Sequence, residues 1–207
     1  MKRLFLFLTL IVFCIPVSMF GYYIGNPMIQ AYDSKSTGYQ SMDALIAKGA
    51  VYFLKSNSEY LILTQRYEQN PADFTGIQDA LNNAIDNLKG AVSTYNDINV
   101  LAMQVPYNQS IISQLTAFDY SGFQKENGLI SDILLKVKSF LIRGDINGSW
   151  VELYNRMNLI LNSLYELKQD LDKGMVPNVF KLWDINHKYM EFMLFGQYES
   201  QILKTTK

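Results

Sequence analysis

"SWVELYNRMNLILNSLYELKQDLDKG", residues 149–174, is the stretch from which the fold can be read. Trp150, Leu153, Met157, Ile160, Leu164, Leu167 and Leu171 recur at alternating spacings of three and four. That alternation keeps one side of an α-helix apolar over its whole length and leaves the other side polar. The spacing predicts a helix over 149–173 that buries this seam. "SWVE" reads as its capping box, with the Ser149 hydroxyl accepting from the Glu152 N–H and Glu152 reaching back. Gly174 supplies the stop.

Outward from this seam the same period returns. Residues 127–143 carry Ile130, Ile133, Leu134, Val137, Phe140 and Leu141 and end at Gly144. Only "GDING" joins them to the next helix, and so short a connection makes the two antiparallel neighbours. Residues 75–103 carry Leu81, Ile85, Leu88, Val92, Tyr95 and Ala102, with Gly90 marking a place for a bend. Residues 39–69 form a long helix through Met42, Leu45, Gly49, Tyr52, Phe53, Tyr60, Leu63 and Tyr67, and "NPAD" at 70–73 separates it from the next. The link 105–128 holds a short helix at 109–117. On the last helix, 177–203, Phe180, Trp183, His187, Met190 and Leu194 fall at alternating spacings of three and four, which puts His187 on the packing stripe or its edge. Tyrosines along the first and last helices suit the edges of such an assembly, where a ring is covered and its hydroxyl stays wet. No stretch alternates with the period of a strand. The chain reads as all-α: residues 33–207 form an antiparallel four- to five-helix bundle.

Residues 1–32 form a segment of their own. Lys2 and Arg3 precede "LFLFLTLIVFCIPVSMFGYYI", residues 4–24, and the first acid is Asp33. A basic start followed by an uncharged apolar run is the pattern of a signal peptide. Its length also suits a signal anchor with the N-terminus inside. Tyr22, Tyr23, Tyr32 and Tyr39 flank it, as interface aromatics do. No small-residue cleavage site closes the run, and Phe13 is too bulky to precede a lipidated Cys14. The expected place of the protein is extracytoplasmic, in the periplasm or at the cell surface.

Composition excludes several functions. The remainder of the chain carries 16 basic and 19 acidic residues, which is no footprint for a phosphate backbone, so nucleic acid is not an expected partner. Cys14 is the only cysteine, and His187 is the only histidine. Disulfides, thiolate zinc sites and histidine relays are thereby ruled out of 33–207, and no motif marks a nucleophile.

His187 is the residue most open to a ligand. Asp184 and Glu191 stand three before and four after it, so both carboxylates are within reach of the imidazole. The plainest reading is a structural histidine paired with one of them. Asp184, His187 and Glu191 are otherwise a candidate metal set, and His187 with Met190 a candidate haem pair. A di-metal carboxylate site wants a Glu-x-x-His pair on each of two facing helices, which one histidine cannot supply. No cofactor is therefore expected. The reading that remains is a non-enzymatic protein that binds or assembles with another protein or the membrane surface. The alternative is a bundle that holds haem or a small apolar molecule, or a partner-dependent sensor.

Overall fold

The computed structural model describes residues 40–104, 109–117, 119 and 129–205, and these are helical with no strand among them. The segment 1–32 lies outside the described residues. Six helices are described: α1 Gln40–Gln69, α2 Phe74–Ala102, α3 Gln109–Ala117, α4 Leu129–Leu141, α5 Ile146–Asp172 and α6 Val179–Thr205.

Named contacts give the direction of each pair. On α1 and α2, Arg66 Nη1 donates to the Gly76 carbonyl at 2.7 Å and Ser56 Oγ to the Ala84 carbonyl at 2.7 Å, while Tyr52 faces Gly90. The numbers fall on one helix as they rise on the other, so the two are antiparallel. On α5 and α6 the pairs are Ser149 with Glu199, Arg156 with Glu191, Ser163 with Lys188 and Asp170 with Lys181, which is antiparallel again. Helix α6 also runs antiparallel along α1, through Tyr60 with Leu182, Ser56 with Tyr189 and Phe53 with Phe192. Gln78 with Asp172 and Tyr95 with Trp150 align α2 and α5 in the same sense.

The α5 seam is buried throughout, from Trp150 to Leu171, as its spacing requires. Its start differs from the sequence reading. The helix opens at Ile146, and its N-cap is Asp145, whose Oδ1 accepts from the Gly148 N–H at 2.8 Å. Ser149 lies inside the helix and is buried, and Glu152 pairs with Arg156 at 2.9 Å instead of reaching back. The cause is local. Gly144 takes a positive φ of 66° and ends α4, with the Gly144 N–H on the Leu141 carbonyl and the Asp145 N–H on the Phe140 carbonyl. A strong capping residue follows at once and starts the next helix three residues early. Asp145→Ala should cost about 0.5–2 kcal/mol of stability in denaturant unfolding. A cap at Ser149 would leave that substitution nearly silent.

Gly90 makes no break, since α2 runs unbroken through it. A Cβ there would meet the Tyr52 ring at 2.9 Å, so the missing side chain lets α1 approach. Two tyrosines depart from the expected edge positions: Tyr60 and Tyr189 are fully buried in the core, as is Tyr95 on the α2 seam where its spacing puts it. Tyr60 donates its hydroxyl to the Leu182 carbonyl, and the Tyr189 hydroxyl lies 2.6 Å from Ser56 Oγ. For Tyr60 and Tyr189, partners for the hydroxyls are what make such burial tolerable.

Candidate functional site

Helix α6 follows the turn at Gly174, where φ is 72° and the Met175 N–H closes on the Asp170 carbonyl at 3.0 Å. Asn178 starts the new helix, its Oδ1 accepting from the Phe180 N–H at 2.8 Å. The side turned to the core is Leu182, Ile185, Tyr189, Phe192, Gly196 and Glu199, all buried. The stripe expected to pack is therefore the wrong one over most of its length. Phe180 is 78 % exposed and Trp183 53 % exposed, and only the far end of that stripe, Leu194, is buried. The helix is apolar on two opposite sides, so periodicity alone fits either phase.

His187 sits on this outer side with its side chain half exposed. Its Nε2 lies 3.4 Å from Glu191 Oε1, and Glu191 also takes the Arg156 guanidinium at 3.1 Å. Asp184 turns to Lys188 instead of the imidazole. Of the candidate metal set, then, His187 and Glu191 are brought together and Asp184 is engaged elsewhere. Among the described residues no group of three His, Cys, Asp or Glu side chains is placed to hold a metal ion. Met190 is partly buried against the core while His187 faces outward. Two side chains three apart on one helix approach from the same side, whereas two axial haem ligands approach from opposite sides. The arrangement offers a polar, internally paired surface bordered by large exposed apolar side chains.

The far end of α6 holds a group that the sequence reading passed over. Glu199 is buried, and its carboxyl meets the buried Ser149 hydroxyl. Ser149 Oγ also lies 2.7 Å from the Ile146 carbonyl. One hydroxyl has one hydrogen and cannot donate to both oxygens at once. A protonated Glu199 satisfies all three groups, donating to Ser149 Oγ while Ser149 donates to Ile146. Burial raises the Glu199 pKa to about 8, with the Ser149 hydrogen bond opposing part of the rise. Glu199 is seven residues after Phe192 and three after Gly196, so its burial is readable from the sequence only once the phase of α6 is known.

The spacing assigns Phe180 and Trp183 to the core, and the structure puts them on the surface instead. Val179 beside them on α6, and Met175 and Val176 on the turn before it, are also exposed. Among the described residues no helix is long and apolar enough to cross a membrane. No protein-family model matches the chain, and no curated protein or solved structure is significantly similar to it.

Proposed function

We propose that this is an exported protein, an antiparallel helical bundle behind an N-terminal signal or anchor, acting without catalysis in binding or assembly on the outer side of the cytoplasmic membrane. The observation that carries export is the uncharged run 4–24 behind Lys2 and Arg3. The pairwise antiparallel contacts of α1, α2, α5 and α6 support the bundle. The exposed aromatic side of α6 supports the binding role, since a helix apolar on both sides has one side more than its own core uses.

Export is tested by fusing residues 1–40 to a reporter active only outside the cytoplasm. The expected result is an active reporter, and a silent one with normal expression would sink the proposal. Intact mass of the native protein then distinguishes a cleaved signal from a retained anchor.

A further inference from the structure

The stripe Phe180, Trp183, His187, Met190 and Leu194 changes its surroundings along α6. It is exposed at Phe180 and Trp183, half-covered at Met190 and buried at Leu194. Five consecutive residues, Phe192 to Gly196, are buried, which requires cover on every side of the helix. Part of that cover is α4, packed on α6 through Phe140 against Phe195 with ring centroids 6.3 Å apart. At 13 residues α4 is only about 20 Å long, so the first turns of α6 are left bare. The bare end thus continues a face whose other end is already packed.

We infer that two copies of this chain associate through the bare outer face of α6, with Phe180 and Trp183 at the centre of the contact. The inference deepens the assembly reading above and rests on it. Area is the first support. The exposed parts of Met175, Val176, Val179, Phe180 and Trp183 come to roughly 500 Å² per copy, given about 150–250 Å² for a whole aromatic side chain. A pair buries about 1,000 Å², the floor for a specific interface.

Charge is the second support. In a two-fold contact, residues near the axis meet their own counterparts, so an unpaired charge would meet its like. On α6 the charges beside the stripe are already neutralised within the chain. Lys181 pairs with Asp170 at 2.7 Å, Lys188 pairs with Asp184, and Glu191 takes Arg156 at 3.1 Å and faces His187. Such a face suits its own copy better than a partner of opposite charge.

The test places a benzoylphenylalanine photo-crosslinker at position 180 of the full chain, in cells and after purification in detergent. A control chain carries it at Val100, which is exposed on α2. Irradiation should give an adduct of twice the mass of the mature chain from position 180 and not from Val100. Its peptide map should join position 180 to residues 175–183 of the second copy. Trp183→Glu should cut the adduct at least tenfold while helix content and thermal midpoint stay unchanged, because Trp183 is exposed. An equal adduct from Val100, or one insensitive to Trp183→Glu, overturns the inference. An adduct with a different protein overturns the self-contact and keeps the assembly reading. Adducts only within one chain or with lipid, or none at all, overturn both.

Discussion

Glu199→Gln should stabilise the protein strongly above pH 8 and change it little at pH 4.5 or below. The carboxyl is buried against Ser149, and burial raises its pKa from 4.5 to about 8. Between those two values the folded chain holds a proton that the unfolded chain has released. Stability therefore falls as pH rises from 4.5, and the loss is complete above 8. At 1.36 kcal/mol per unit, the loss is on the order of 5 kcal/mol. Glutamine has the shape of the protonated acid and a donor for Ser149 Oγ, but no charge to bury. Denaturant unfolding of both proteins from pH 4 to 9 checks this. Parallel curves would show that Glu199 finds water or a cation when it ionises.

Leu164→Ala should cost about 2–5 kcal/mol. Leu164 is fully buried at the middle of the α5 seam, and α5 packs on both α2 and α6. Removing the side chain loses its transfer free energy and leaves a cavity between helices that cannot all close on it. Thermal and denaturant unfolding read the effect at any pH, separately from the Glu199 contribution. An unchanged midpoint would place this seam on the surface.

The contrast between α5 and α6 shows what the sequence could decide. On α5 one side is apolar and the other carries Asn155, Asn162, Glu166 and Gln169, all exposed, so only one phase buries the seam. On α6 two stripes compete. Phe180, Trp183, His187, Met190 and Leu194 have the larger residues at their head. The buried stripe, Leu182 to Phe192, runs on through Gly196 and Glu199, and an acid at its end argued against it. The buried phase is the one that packs Tyr189 and Phe192 on α1 and lets Ser56 and Tyr60 of α1 bond to Tyr189 and Leu182, which no local pattern records. The same cause hid the burial of the tyrosines. The sequence singles out His187 as the residue most open to a ligand, on the packing stripe or its edge, and the structure puts it on the outer side with its side chain half exposed. The early start of α5 was legible in principle, because an aspartate directly after a helix-ending glycine caps as well as a serine four residues on and lets the helix begin sooner.

Location is the claim on which the functional account stands, and one labelling measurement reaches it. Leu135 on α4 is 53 % exposed and outside the proposed contact. In the full chain, with Cys14→Ser removing the only native thiol, Leu135→Cys offers a single reporter. A membrane-impermeant maleimide should label it completely while the cytoplasmic membrane is intact. Labelling that begins only after the cells are lysed would contradict the account.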